Sequence, residues 1–390
     1  MPDANGDSRF LEALLPHVER IGRLSLAGYS SIEAVADDFP KFFASSMPNL
    51  TSLELQQAAE PVGLFPPDNS STPPPFLNVS KLESLSLTRP PLYPPLFVTT
   101  SLVELKLIGC ATSFLFGTFL GLLVSNPNLE LVALDIRFVR DSVETAPAKM
   151  VPLSLLRHLS ITCSNAIDSK GSLSCISIPP GVRLEVTFTR PDQPAELGAF
   201  LPSPTTVVQD FLGPINTIKT QFSPWEIRLF GIGSSFTFRS PDGPRPNVHP
   251  ELQLFPGTVV REFYTNICPL NYNMVGLSWT MRQLPALETL AFSKTEFHSE
   301  LLSALTKEPV LCPALRTIAF LDCGINSDLV KGLGEAITKR GNLMATRLYR
   351  VVIVDSTGTK LPDLASIKQL KKSVPCVEVK VDDELSDLVW

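Results

Sequence analysis

The chain has little that would mark it for nucleic acid, a bilayer or redox chemistry. Charged side chains make up only 18% of its 390 residues, the formal net charge is -6, and Lys and Arg are scattered, so no cationic stripe is available to neutralise phosphates. Nucleic acid is therefore not expected as a partner. The longest apolar run, Phe114 to Val124, spans eleven residues and is interrupted by Gly117 and Gly121. It falls short of the roughly 20 residues that cross a hydrocarbon core, so no membrane association is expected. The polar, acidic start MPDANGDSRF lacks the basic and apolar regions of a secretory leader. The expected location is the cytoplasm, the nucleus or both, where the sequons at Asn49, Asn69 and Asn78 would be chance occurrences.

The residues that build catalytic and metal centres are sparse and dispersed. Seven cysteines (Cys110, Cys163, Cys175, Cys268, Cys312, Cys323, Cys376) include no C-x-x-C pair, which fits reduced core thiols better than a disulfide framework or a zinc module. Four histidines (His17, His158, His249, His298) have no metal-ligand partner three or four residues on. Motifs for a nucleophile elbow, a phosphate-binding loop, a dinucleotide loop and a zinc-protease helix are missing, and FGIGSSF (Phe230 to Phe236) has glycines without a following lysine. Paired carboxylates at Asp37 and Asp38, and at Asp382, Asp383 and Glu384, read as solvated surface. No catalytic residue, cofactor or metal is expected.

What the sequence does have is a repeat. The pattern L-x-x-L-x-L occurs as IGRLSL (Leu24, Leu26), LTSLEL (Leu53, Leu55), LESLSL (Leu85, Leu87), LVELKL (Leu105, Leu107), LVALDI (Leu134, Ile136) and LRHLSI (Leu159, Ile161). It returns as LETLAF (Leu290, Phe292), LRTIAF (Ile318, Phe320) and LYRVVI (Val351, Ile353). The central residues are 20 to 33 positions apart, around the roughly 20 to 29 of a leucine-rich repeat. The physical reading is a strand plus a return segment: L-x-L alternates with period two and points inward, while the intervening residues face out on a concave sheet. Helical return segments are predicted over Ser113 to Glu130, Ser299 to Pro309 and Ser327 to Leu343, the last with Ser327 as N-cap and Gly341 closing it. The fold class is therefore α/β, a leucine-rich-repeat horseshoe with a parallel concave sheet and an irregular helical or loop convex side. Cys110 and Cys323 occupy the Asn/Cys slot, where a small side chain turns the chain out of the strand.

Between Thr189 and Met281 the pattern fades, although VRLEVTF (Val182 to Phe188), EIRLFG (Glu226 to Gly231), SSFTFRS (Ser234 to Ser240) and an apolar segment from Val207 remain strand-like or buried in character. The organisation expected is repeats over 1–188, degenerate repeats or a small insertion over 189–280, and repeats again over 281–390. Prolines gather between the coils, and GLFPPDNSSTPPP (Gly63 to Pro75) reads as a loop.

The degenerate strands, the segment FLGLLVSNPNLELVALDI and the later SIPPGVRLEVTF together resemble the leucine-rich-repeat region of F-box proteins of mushroom-type fungi. In that family an F-box docks to the adaptor of a cullin-type ubiquitin ligase and the repeats select the substrate. Here LLPHVERI (Leu14 to Ile21) has a Leu-Pro but runs straight into the first repeat strand. The resemblance thus implies an F-box-like, intracellular substrate-recognition protein with the F-box missing, and the ligase adaptor is a partner only if an F-box is supplied outside this chain. The function expected is a non-catalytic protein-binding scaffold. The alternative is an enzyme or small-molecule binder built in 189–280, which would need a pocket with convergent polar groups. On the concave face the protein-binding candidates are Glu104, Lys106, Asp135, Arg137 and His158, a polar row of mixed sign; the matching positions of the second half are the smaller Thr289, Ala291, Ser293, Thr317, Ala319 and Leu321.

Overall fold

The structure is a computed structural model describing residues 13–29, 47–57, 77–88, 97–98, 100–114, 116–138, 150–163, 166–189, 217–222, 225–231, 235–240, 259–266, 275–294, 298–343, 347–355 and 362–381. It is of mixed α/β class with predominantly parallel strands. Two compact units divide the chain, Met1–Thr189 with Ala199–Ser203, and Arg190–Gly198 with Pro204–Trp390.

In the first unit a 3-10 helix (Leu15–Arg20) leads into β1 (Arg23–Tyr29), β2 (Ser52–Gln57), β3 (Leu77–Asn78), β4 (Ser84–Thr88), β5 (Phe97–Val98), β6 (Glu104–Phe114), β7 (Leu131–Phe138), β8 (Val151–Pro152), β9 (His158–Cys163), β10 (Ile176–Ser177) and β11 (Arg183–Phe188), with helices α1 (Phe116–Ser125) and α2 (Ala166–Cys175). The run β1-β2-β4-β6-β7-β9-β11 is parallel throughout. The short strands pair separately, β3 with β5 and β8 with β10. Parallel neighbours demand a crossover between them, and here each long strand pairs with the next one along the chain.

The same local geometry recurs at successive strand entries, four of which share a tight turn. A tight turn closes by N–H donation three residues back, at Leu50 to Met47, Leu82 to Val79, Leu129 to Asn126 and Leu156 to Leu153. Proline at the second turn position, Pro48 and Pro127, presets the φ that such a turn needs. Two successive N–H groups then donate to one carbonyl of the preceding strand's lead-in: Thr51 and Ser52 to Gly22, Glu83 and Ser84 to Thr51, Val103 and Glu104 to Glu83, Glu130 and Leu131 to Val103. With entry fixed in this way, the apolar residues fall into register as Leu24, Leu53, Leu85, Leu105, Val132, Leu159 and Leu184. All seven are buried, and each such side chain withdrawn from water contributes about 1.5–3 kcal/mol.

That register corrects one sequence assignment. Leu134 is buried as expected, but Val132 is the residue opposite Leu105, and Leu134 stands opposite Leu107. The motif in β7 is LELVAL, beginning at Leu129, and not LVALDI. A shift of two keeps every side chain on its own face, so burial survives the error while the neighbours change.

The second unit contains β12 (Thr217–Phe222), β13 (Trp225–Phe230), β14 (Ser235–Ser240), β15 (Glu262–Asn266), β16 (Thr289–Ser293), β17 (Thr317–Leu321), β18 (Arg350–Val354) and β19 (Cys376–Lys380), with α3 (Val275–Gln283), α4 (His298–Thr306), α5 (Ser327–Leu343) and α6 (Leu364–Ser373). From β15 to β19 the strands are parallel and follow chain order, and the helices pack successively, α3 on α4, α4 on α5 and α5 on α6. On the other side of β15, β12 pairs parallel with it, and β12, β13 and β14 form an antiparallel meander. Segment 189–280 thus contributes both a strand continuous with the parallel run and an antiparallel trio. Leu290 and Ile318 are buried cross-strand neighbours, as the repeat predicts.

Strand exits repeat as well. Gly109, Lys294 and Asp322, each two residues beyond a ladder position (Leu107, Phe292, Phe320), all adopt positive φ, at 60°, 52° and 52°. A left-handed backbone costs a non-glycine residue about 1–2 kcal/mol. It is held at Lys294 and Asp322 by donation of their own N–H groups to the carbonyls of Leu321 and Val354, at 2.8 and 2.9 Å. Cys323 follows as a buried thiol against the carbonyls of Phe292 and Leu321, in the slot read for it. Strand β6 runs on through Cys110 to Phe114, so Ser113 and Phe114 lie in a strand where a helix was expected, and α1 starts at Phe116.

Helix α5 has the predicted span, with Leu329, Val330, Leu333 and Ile337 buried. Its N-terminal cap is Asn326, whose Oδ1 accepts from Leu329 N at 2.9 Å, and not Ser327; Gly341 lies within the helix and does not close it. Helix α4 ends at Thr306, before the expected Pro309. The Gly63 to Pro75 loop, the segment from Val207, His249 and the carboxylates at 37–38 and 382–384 lie outside the described residues.

Candidate functional site

Inward alternation leaves the opposite face of each sheet to polar side chains. In the first unit the strand register places Ser84, Glu104, Leu131, His158 and Arg183 in one row across β4 to β11, and Ser86, Lys106, Ala133, Ser160 and Glu185 in the next. Lys106 Nζ meets Glu104 Oε1 at 2.5 Å, and Ser84 donates to Glu104 Oε2 at 3.0 Å. The hydrogen bond from Lys106 is the main reason the Glu104 carboxyl titrates below its ordinary range, with Ser84 adding to it against a burial penalty. Two strands away, His158 Nε2 lies 3.8 Å from Glu185, and Arg183 clamps the same carboxylate at 2.5 and 2.7 Å.

Of the candidates named from sequence, Glu104, Lys106 and His158 share this face. Asp135 is on the same face one row further along, opposite Thr162, and its Oδ2 accepts from Gly109 N at 3.2 Å, serving the irregular exit of β6. With the two-residue register shift described above, Leu131 and Ala133 hold the rows of Glu104 and Lys106, which the LVALDI frame gives to Ala133 and Asp135. Arg137 belongs to β7, but its side chain lies outside the described residues. Arg183 and Glu185 are not among those candidates, although the alternation of VRLEVTF marks a face.

In the second unit Thr289, Thr317, Ala319 and Leu321 are half-buried, while Ala291 and Ser293 are buried. At the β18–β19 end, Arg350 grips Glu378 through Nε (2.7 Å) and Nη2 (3.1 Å), and Lys380 Nζ lies 3.5 Å from the same carboxylate. Arg350 above all holds the Glu378 pKa down to about 2, against an ordinary 4.5. A depressed carboxylate stabilises the fold above its unfolded pKa and loses that effect as pH falls through the folded one. The stability difference between wild type and Glu378→Gln is therefore expected to be full above pH 4.5 and to vanish towards pH 2, measured by denaturant unfolding across that window. A difference independent of pH would contradict the pairing.

Exposed ion pairs of this kind contribute only about 0–1 kcal/mol each, so they can be exchanged for contacts with a partner at little cost to the fold. Among the described residues no cluster of His, Cys, Asp and Glu is arranged to hold a metal, and no helix is long and apolar enough to cross a membrane. Cys163, Cys175, Cys312 and Cys323 are buried thiols outside any disulfide, and burial pushes Cys175 and Cys312 up to about 12, far from a reactive thiolate. No protein-family model matches the chain, and neither does any curated protein.

Proposed function

We propose that the chain is a non-catalytic, protein-binding scaffold built as a leucine-rich-repeat solenoid, with the open face of the first unit as its recognition surface. The observation that carries the reading is the recurrence of one entry turn, one shared carbonyl acceptor and one buried ladder in successive strands. This regular stacking lays out a row of weakly committed polar side chains. Solenoids recognise partners on such extended surfaces. By its resemblance to fungal F-box proteins the surface would select a substrate for a cullin-type ubiquitin ligase, with the adaptor bound only where an F-box is supplied outside this chain.

The test is affinity capture with mass spectrometry from the native cell, comparing wild type with the double charge reversal Lys106→Glu, Arg183→Glu. Both side chains are exposed, so folding stability should change by no more than about 1 kcal/mol, while specifically captured proteins should be depleted several-fold. Unchanged capture by a folded double variant would place recognition elsewhere.

A further inference from the structure

Among the described residues, Lys219 of the second unit's sheet has no acidic partner in an ion pair. Lys219 on β12 lies opposite Arg228 on β13 and Tyr264 on β15. Its Nζ sits 5.2 Å from the centre of the Tyr264 ring and 5.4 Å from that of Phe230, within cation–π range of both. The neighbouring carboxylate, Glu262, is engaged otherwise: Thr217 Oγ1 and Tyr264 OH both donate to its Oε2, at 3.1 and 3.4 Å. Arg228 is paired with Glu226, and Arg350 and Lys380 with Glu378. Among the described residues, Lys219 has rings for neighbours and no ion pair. Burial, and then the charge of Arg228, pull its pKa down while Glu262 opposes them, so the ammonium is held without full compensation. Along the same row the next positions are Ala291 and Ala319. Ala291 is buried, while Ala319 is half-buried and projects far less than Lys219 and Tyr264.

We propose that this row seats an extended acidic segment of a protein partner, its carboxylate on Lys219 and its main chain passing over Ala319. A carboxylate supplies the charge-assisted hydrogen bonds that the Lys219 ammonium lacks. The flanking rings confine that ammonium before binding, so less side-chain freedom is lost when the contact forms. The small Ala319 side chain admits a backbone where a larger one would block it. The inference rests on the protein-binding reading and names the chemistry of the partner.

The experiment is selection of displayed random peptides on the full chain, followed by fluorescence-anisotropy titration of the synthesised winners against wild type, Lys219→Met, Lys219→Gln, Lys219→Arg and Ala319→Phe, each checked for folding by denaturant midpoint. The winners should be rich in Asp and Glu. They should bind both neutral Lys219 variants about tenfold or more weakly, retain most affinity for Lys219→Arg, and be excluded by Ala319→Phe. Winners without acidic enrichment, or with equal affinity for wild type and the neutral variants, would overturn this site and leave the scaffold reading standing. A selection that yields no binders at all would overturn both.

Discussion

Replacing Leu105 with alanine should cost about 2–5 kcal/mol of folding stability, because the side chain is fully buried and the cavity left behind can collapse only in part. Leu105 is hemmed in by Leu85 on one neighbouring strand and Val132 on the other, both fully buried, so neither has a free direction in which to move. In a stacked array the loss is felt first by adjacent strands. Hydrogen exchange should accordingly show β4, β6 and β7 losing protection while β16 to β18 keep theirs. Denaturant unfolding gives the magnitude, and a loss below about 1 kcal/mol would mean that Leu105 is not a ladder residue.

Arg340 should be the most sensitive polar position. It lies on α5 with 1% of its surface exposed, and it donates from Nη1 to the carbonyl of Leu311 at 2.8 Å and from Nη2 to that of Cys312 at 2.5 Å. Those carbonyls belong to the turn that feeds β17, where Leu315 N closes onto Cys312 O and the Cys312 thiol donates to Met281 O. The planar guanidinium spans two adjacent acceptors that a single ammonium cannot serve in the same way. Arg340→Ala combines a cavity with the loss of two buried hydrogen bonds, leaving the Leu311 carbonyl unpaired and the Cys312 carbonyl with Leu315 N alone, and about 3–5 kcal/mol of destabilisation is expected by denaturant unfolding. Arg340→Lys should recover only a minor part. A lysine variant as stable as wild type would show that charge alone, and not the fork, holds the turn.

How much of this was legible in the sequence depends on which period carried the signal. The ladder was readable because L-x-x-L-x-L fixes an alternating inward face, and Leu53, Leu85, Leu105, Leu159, Leu290 and Ile318 are buried as that alternation requires. The frame of β7 was not, since LELVAL and LVALDI both satisfy the pattern and differ by two, which leaves the faces unchanged. The entry turn supplies the missing cue: M-P-N-L at Met47 to Leu50 and N-P-N-L at Asn126 to Leu129 start the motif at the same place. Helix α2, AIDSKGSLSC, was passed over because it shows no apolar stripe at helical spacing, and β15 because its ladder residues are Phe263 and Thr265 in place of leucines. Of the meander, β13 and β14 were visible as strands and β12 was not, and their antiparallel pairing was not legible, because alternation says nothing about direction.

The polar face was legible in part. Glu104, Lys106 and His158 fall between ladder residues, so their outward direction follows from the alternation alone. Their partners do not: His158 meets Glu185 because β9 and β11 are in register, a relation between residues 27 apart that no local pattern contains. Arg340 shows the same limit, since its place on the buried stripe, three residues after Ile337, was readable, whereas the carbonyls it serves lie in another turn.

The central claim, that the chain binds a protein through the open face of its first unit, is tested most directly by hydrogen-exchange mass spectrometry of the full chain with and without a captured partner. Protection on binding should concentrate in the peptides carrying β4, β6, β9 and β11, and should disappear in Lys106→Glu, Arg183→Glu. Protection confined to α1 and α2, with those strands unchanged, would contradict it.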